Sequence, residues 1–260
     1  MPYIQVEIVS GDVYECTQTF STRFGKKDKR KIKAIKTSEK QKVRNEKNAR
    51  IKVSRLINVN FGKNDLFLTL TYAGAEPTLE QAKKDLVNFL RRVKHFRKKN
   101  NFSELKYIAV TESEEKRIHH HIIITGMSMD IITELWSSGK AIMSKLTDDK
   151  DYIGLANYIT KEGKKEYARK WTQSRNLERP TVNVHVIERA PKELKAPNGY
   201  KIIDMKQDYH EWTRDYKYLK AIKIGGRDFS DTRAVDAGSI QKVPRKGRGK
   251  EKISKPKNRD

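Results

Sequence analysis

The sequence predicts an α+β fold in which helices pack on a central antiparallel sheet. Strand-like segments with alternating, β-branched side chains dominate the middle of the chain, and amphipathic helical segments lie between them. Two of the central strands are joined by a short charged turn, as in an antiparallel hairpin. Because this arrangement is typical of α+β proteins, we expect one sheet covered by helices on one side.

The first part of the chain is predicted to hold strands, a basic arm and a helix. Residues 3–20 alternate loosely, which indicates one or two short strands. Eight Lys or Arg occupy the fourteen positions from Arg23 to Lys36, as in a DNA-contacting arm or a solvated loop. A helix is expected to begin after Thr37 or Ser38, either of which can cap it, and to end near Asn60.

Strands and helices are predicted to alternate in the middle of the chain. Residues 65–72 alternate and are β-prone, so they indicate a strand with one buried face. A helix begins after Thr78, with Gln81 at the capping-box position. Residues 106–112 indicate the next strand, which a turn joins to the histidine-containing strand at 117–125.

The C-terminal part is less regular. Helical patterns cover Asp130–Ser137 and about Tyr152–Lys165, and a strand pattern covers residues 181–187. The region Leu194–Ile224 is mixed and rich in tyrosine. Residues 241–260 contain nine Lys or Arg, and this basic tail is predicted to be disordered.

The charge of the chain indicates a polyanionic partner. Lys and Arg number 57 and Asp and Glu number 33, a formal charge of +24. Nucleic acid fits such an excess because phosphates neutralise the cations and release counterions. A ribosome-associated or simply soluble basic protein has the same property, and an anionic membrane fits less well.

No 18-residue apolar run occurs, and the N-terminus does not resemble a signal peptide. The single Cys16 permits no internal disulfide and no cysteine-based zinc site. We therefore expect a cytoplasmic protein without a membrane partner.

Two histidines of the predicted hairpin are candidate metal ligands. Successive side chains on a strand point to opposite faces, so His119 and His121 share one face and His120 takes the other, with a packing or supporting role. Glu112 ends the preceding strand, and a hairpin would bring its carboxylate close to His119. Two imidazoles and one carboxylate leave positions open for water and substrate oxygen. Glu114 and Glu115, in the turn, are the competing carboxylates.

A tyrosine and a lysine form the second candidate group. Tyr158 and Lys161 are three positions apart on the predicted helix and would share a face. A tyrosine beside a metal-polarised phosphate can act as a nucleophile, and a nearby ammonium can stabilise the developing charge.

In this order, three segments resemble the motifs of HUH endonucleases, named for two histidines that flank a usually hydrophobic residue. The segments are Phe67–Tyr72, His119–His121 and Tyr158–Lys161. The closest likeness is to the rolling-circle replication initiators, or Rep proteins, of small plasmids and single-stranded DNA phages. The resemblance covers roughly residues 37–190, and the segment Ser174–Leu177 before Pro180 adds to it. The chain departs from the pattern by having His120 in the middle position.

The resemblance implies site-specific, metal-dependent nicking of single-stranded origin DNA, followed by religation. His119, His121 and Glu112 would hold Mg²⁺ or Mn²⁺, Tyr158 would attack to give a 5′-phosphotyrosine, and Lys161 would assist. Tyr152 and Tyr167 do not have the spacing of a second catalytic tyrosine, so a single-tyrosine enzyme is expected.

The implied organisation has four parts. Strands and a basic arm would occupy residues 1–36, the HUH endonuclease domain 37–190, an accessory region 191–240, and the basic tail 241–260. No nucleotide-binding Gly-x-x-x-x-Gly-Lys-[Ser/Thr] motif occurs, so a separate helicase and a host polymerase are expected as partners.

Other classes of function remain open at this point. A transposase or a plasmid-mobilisation relaxase could use the same site on another genetic element. A non-catalytic nucleic-acid-binding protein would also explain the charge and the aromatic residues of 200–218. A structural zinc module is less favoured because the remaining histidines are scattered.

Overall fold

The computed structural model of the chain describes residues 3–20, 38–113, 117–161, 171–189, 192–210 and 214–225. Within these ranges the protein forms four helices and two antiparallel five-stranded sheets. The predicted α+β class is therefore confirmed, with one of the two sheets carrying the His-x-His strand.

The histidine sheet has the strand order β6-β3-β5-β4-β7. Its strands are β3 (Leu66–Thr71), β4 (Tyr107–Glu112), β5 (His119–Ile124), β6 (Ala141–Lys145) and β7 (Thr172–Gln173). β4 and β5 pair antiparallel, which confirms the predicted hairpin. β3 lies on the other side of β5, so the histidine strand is central in the sheet.

Helices cover both faces of the histidine sheet, and the expectation that only one side is covered was wrong. One face packs on α2 (Leu79–Lys99) and α3 (Met129–Leu135), and the other packs on α1 (Glu39–Asn60) and α4 (Ile153–Ile159). The cause lies in β3 and β5, both of which carry apolar side chains on both faces of the sheet. Leu66, Leu68, Leu70, Ile122 and Ile124 lie in the core under α2 and α3, whereas Phe67 and Ile123 lie under α1 and α4.

The predicted helix starts are confirmed by their caps. The hydroxyl of Ser38 accepts a hydrogen bond from the Gln41 amide at 3.3 Å, and that of Thr78 accepts from the Gln81 amide at 3.2 Å. α3 lies within two residues of its predicted range.

α4 is shorter than predicted. It ends at Ile159, with Thr160 as the C-cap, instead of continuing to Lys165. The Thr160 hydroxyl donates to the Ala156 carbonyl at 2.6 Å, and its backbone has left helical geometry (φ −108°, ψ 7°). Lys161 therefore lies in a turn after the helix.

A second sheet has the strand order β8-β1-β2-β10-β9. Its strands are β1 (Tyr3–Ser10), β2 (Val13–Phe20), β8 (Thr181–Ile187), β9 (Tyr200–His210) and β10 (Arg214–Lys223). β1, β2 and β8 fall where strands were predicted, whereas β9 and β10 form a long antiparallel pair in the region predicted only to be mixed. The sheet thus combines the beginning of the chain with its C-terminal part.

Ion pairs connect the second sheet to α1 and to the start of α4. Arg55 of α1 contacts Glu15 of β2 at 2.6 Å, and Lys220 of β10 contacts Asp151, just before α4, at 2.5 Å. The second sheet therefore lies on the α1 and α4 side of the histidine sheet.

Several sequence predictions fall outside the described residues: the basic arm at 23–36, Glu114 and Glu115, Tyr167 and the tail at 241–260. The limits of the four predicted parts of the chain stay a prediction. Within the described part of the chain, no helix combines the length and the apolar character needed to cross a membrane.

Candidate metal centre

Glu112, His119 and His121 converge on the face of the histidine sheet that packs on α1 and α4. Glu112 is the register partner of His119 across the hairpin, and His121 lies two residues further along β5. The Nε2 atoms of His119 and His121 lie 3.0 and 3.5 Å from the two carboxylate oxygens of Glu112. One ligand atom from each residue lies within 4.8 Å of the others, so the group could hold a metal ion.

Hydrogen bonds on the far side of each ring aim the ligand atoms. Nδ1 of His119 contacts the Arg117 carbonyl at 2.9 Å. A carbonyl only accepts, so Nδ1 is the donor in this contact and Nε2 is the ring nitrogen directed at Glu112. Nδ1 of His121 contacts the Thr69 hydroxyl at 3.0 Å. Such outer contacts are typical of metal-binding histidines because they fix the tautomer and the ring orientation.

The donor set fits a divalent cation. The Nε2 atoms of both imidazoles converge on the carboxylate of Glu112, which is buried, with 7% of its side chain exposed. Two imidazoles and one carboxylate suit several divalent metals, and the set alone does not choose among them.

His120 has a different environment, on the α2 and α3 face. It is fully buried, and its two ring nitrogens contact the hydroxyls of Thr111 and Tyr72, each at 2.9 Å. Burial, followed by the neighbouring His119 and His121, lowers the pKa of His120 to about 4. His120 is therefore a neutral core residue on the face opposite the candidate ligands, as the strand alternation predicted.

Tyr158 of α4 stands beside the metal-binding group. Its ring centroid is 5.1 Å from that of His121 and 6.0 Å from that of Phe67. Phe67 in turn stacks on His121, with 5.4 Å between centroids and 19° between planes. Tyr158 is 55% exposed, so its phenol is accessible from solvent.

Lys161 lies in the turn that follows α4. Lys161 does not share a helix face with Tyr158 as predicted, because α4 ends before it. Its amide lies 3.4 Å from the Tyr158 carbonyl, so it remains close to Tyr158 along the chain. A catalytic role for Lys161 stays a prediction.

Polar contacts hold the start of α4 on α1. The Tyr152 amide donates to the side-chain oxygen of Asn58 at 2.9 Å, and Asp151 accepts from Ser54 at 3.4 Å and from Asn58 at 3.3 Å. Tyr152 is buried and donates its hydroxyl to the Thr147 carbonyl, which makes it unsuitable as a nucleophile.

The sequence analysis placed Phe67 and Thr69 in a motif segment but gave neither residue a role at the metal-binding group. The strand alternation of β3 could have identified them, because both residues share a face with His119 and His121 once β3 is paired with β5. It could not be used from the sequence alone, since that pairing joins residues more than fifty positions apart.

Fold and site together define an α+β protein whose sheet presents a Glu–His–His group able to hold a divalent cation, with a tyrosine beside it. Residues 65–166 match the model of a family described as Replication-associated protein ORF2/G2P. The matched segment runs from β3 past α4 and contains Glu112, His119, His121, Tyr158 and Lys161. It relates this part of the chain to replication proteins, whose partner is DNA. No curated protein and no solved structure matches the chain significantly.

Proposed function

We propose that this protein initiates rolling-circle DNA replication by nicking single-stranded origin DNA and later religating it. The observation that carries the proposal is the position of Tyr158, 5.1 Å between ring centroids from His121, beside a Glu–His–His group. This arrangement lies inside the segment that matches the replication-associated family.

In the proposed reaction, His119, His121 and Glu112 hold Mg²⁺ or Mn²⁺. A bound divalent cation supplies Lewis-acid stabilisation of the charge that develops on the scissile phosphate. Phe67 packs on His121 and keeps one side of the group apolar. The hydrogen bonds of His119 to Arg117 and of His121 to Thr69 hold the rings in the ligating orientation.

Tyr158 is the proposed nucleophile. Its phenolic oxygen, on losing its proton, attacks the scissile phosphorus, and the bond from phosphorus to the 3′ oxygen breaks. The 3′ oxygen leaves and takes up a proton, which yields a 5′-phosphotyrosine and a 3′-hydroxyl able to prime synthesis. Attack of a 3′-hydroxyl on the phosphotyrosine reverses the step and religates the strand. Lys161 is proposed to stabilise negative charge on the phenolate or phosphate.

The basic surface supports a DNA partner. The formal charge of +24 favours binding to a polyanion, and α2 adds a row of cations on its outer surface: Lys83, Lys84, Arg91 and Lys94. Such contacts position a nucleic acid without reading its bases. A separate helicase and a host polymerase complete the proposed partners.

The test is metal-dependent formation of a covalent protein–DNA adduct. Oligonucleotides labelled at the 3′ end, tiling the DNA around the coding sequence, are incubated with the protein and Mn²⁺ and separated on a denaturing gel. A nickase of this type carries the labelled 3′ portion of the strand, whereas a non-catalytic binder carries none. Peptide mapping of the adduct then identifies the attached residue.

Four substitutions test the assigned roles. Tyr158→Phe should abolish the adduct and leave DNA binding nearly unchanged, because only the phenolic oxygen is lost. Tyr209→Phe, which changes an exposed tyrosine of the second sheet, is the matched control and should retain the adduct. His119→Ala and His121→Ala should each remove most of the activity at ordinary metal concentrations. Adduct formation by Tyr158→Phe, or by wild-type protein in excess chelator, would contradict the proposal.

A further inference from the structure

A cleft of about 510 Å³ lies between α1 and the β9–β10 hairpin. It is on the same side of the histidine sheet as the candidate metal ligands, because α1 and α4 cover that face. α1 contributes Lys47 and Arg50, β10 contributes Tyr216, and α4 contributes Asn157, the residue immediately before Tyr158. The cleft therefore reaches the helix that carries the proposed nucleophile.

Most cations that line the cleft already have a carboxylate partner. Arg55 pairs with Glu15 at 2.6 Å, Lys206 with Asp204 at 2.8 Å, and Lys220 with Asp151 at 2.5 Å. These pairs neutralise one another and leave no net charge among themselves.

Arg50 differs from the paired cations. Its Nε is buried and has no hydrogen-bond partner in the described part of the protein. A guanidinium nitrogen buried without an acceptor is unfavourable, because it has lost its hydrogen bonds to water without replacement. An anionic ligand in the cleft would supply the missing acceptor, and arginine is well suited to phosphate oxygens.

The opposite wall of the cleft offers an aromatic surface. Tyr216 and Tyr218 are half-buried neighbours on the same face of β10. The Tyr218 hydroxyl donates to Glu15 at 2.9 Å, which fixes that ring, and the Lys206 ammonium lies 5.9 Å from its centroid. Aromatic side chains beside a cation are the combination that binds single-stranded nucleic acid, through stacking of bases and contact with phosphate.

We infer that this cleft binds one nucleotide unit of single-stranded DNA, with its phosphate on Arg50 and its base against Tyr216. The cleft has the size of a small-molecule site, and a nucleotide is within that range. The inference rests on the proposed function for the identity of the strand, which would pass from the cleft towards Tyr158. A free mononucleotide has the same chemistry and is the alternative source of the ligand.

Arg50→Met is the central test. Affinity for a fluorescein-labelled single-stranded 12-mer of mixed sequence is measured by anisotropy in EDTA, so that no cleavage occurs. Loss of a charged hydrogen bond to phosphate should weaken binding by about tenfold or more. Lys52→Met is the matched control, because it removes the same charge from an exposed position of α1 outside the cleft, and it should weaken binding by less than about twofold.

Three further measurements keep the result interpretable. Arg50→Lys retains the positive charge but removes the Nε donor, so it should also weaken binding, and it replaces Arg50→Met if that variant does not fold. In wild-type protein, 12-mers that carry 5-iododeoxyuridine should crosslink on irradiation to the β10 peptide that contains Tyr216. Deoxyadenosine monophosphate and inorganic phosphate are tested as competitors.

The outcomes separate this inference from the proposed function. Equal affinity of the Arg50 and Lys52 variants, or crosslinks only outside the cleft, would overturn the inference even if wild-type protein forms the tyrosine adduct. If the Arg50 variant binds the 12-mer more weakly but wild-type protein forms no adduct, the cleft remains a DNA site and the nicking reaction is rejected. Arg50-dependent binding of the mononucleotide, with no Arg50 effect on the 12-mer, would overturn the assignment to DNA.

Discussion

Thr69→Val is the most direct test of how the sheet orients the candidate metal ligands. The Thr69 hydroxyl lies 3.0 Å from Nδ1 of His121, on the side of the ring opposite Glu112. Valine has nearly the same shape, so the substitution removes the hydrogen bond and leaves the packing of β3 largely unchanged. The imidazole of His121 would then lose the hydrogen bond that holds its orientation.

The expected magnitude follows from the position of this contact. Removal of an outer hydrogen bond from a metal-binding histidine lowers metal affinity by roughly 10- to 100-fold. This corresponds to about 1.4–2.7 kcal/mol of binding free energy. Mn²⁺ is the suitable probe, because the electron paramagnetic resonance signal of the unbound ion reports the dissociation constant, and calorimetry gives an independent value.

Thr71→Val provides the matched control. Thr71 lies two residues further along β3, on the same face, and its hydroxyl donates to the Lys140 carbonyl at 3.2 Å instead of to a histidine. Its Mn²⁺ affinity should stay within about twofold of wild type, since no outer hydrogen bond to a ligand is lost. If Thr69→Val binds Mn²⁺ as tightly as wild type, or if both variants weaken equally, the orienting role of Thr69 is refuted.

Three further predictions concern stability. His120 has a folded-state pKa of about 4, below its ordinary value of 6.5, so the unfolded state alone binds a proton between these pH values. This contribution to the free energy of unfolding is fully present above pH 6.5 and is lost as the pH falls to 4, by on the order of 3 kcal/mol. Urea unfolding across this range should show a smaller loss for His120→Gln than for wild type. Equal losses in the two proteins would contradict the prediction. Gly154 is exposed in α4, and a Cβ at this position would meet only open space, so Gly154→Ala should raise the free energy of unfolding by up to about 1 kcal/mol. At Gly139 a Cβ would collide with the Thr71 carbonyl, so Gly139→Ala should lower it by more than about 1 kcal/mol, and the opposite order of melting temperatures would refute the packing argument.

The parts of the site that could be predicted from the sequence depend on local geometry. The two-residue period of a strand separates His119 and His121 from His120, and a short hairpin brings Glu112 opposite His119. Both relations involve residues within ten positions of one another. The extent of α4 is also a local property, but Lys and Glu residues that favour helix follow Thr160 in the sequence. The Thr160 side chain bonds the Ala156 carbonyl where the helix ends. The sequence pattern alone therefore predicted a longer helix than the one observed.

The second sheet and the cleft depend on contacts that no local pattern contains. β1 pairs with β8, and β2 pairs with β10, across most of the length of the chain. β9 exposes charged side chains and also the apolar side chains of Ile202, Ile203 and Met205. Its sequence therefore does not show the clean alternation of a half-buried strand. The orphaned Nε of Arg50 becomes recognisable only when β10 is placed against α1.

The three consecutive histidines also specify the register of the strand on which they lie. In the observed register, His120 lies on the α2 and α3 face, where Thr111 and Tyr72 satisfy its ring nitrogens, while His119 and His121 face Glu112. A slip of β5 by one residue would turn every side chain to the opposite face. It would bury two imidazoles where hydroxyl partners exist for one, and only His120 would remain near Glu112. The unfavourable burial of unpaired polar nitrogens opposes this slip, so His120 stabilises the arrangement in which both outer histidines can bind one ion.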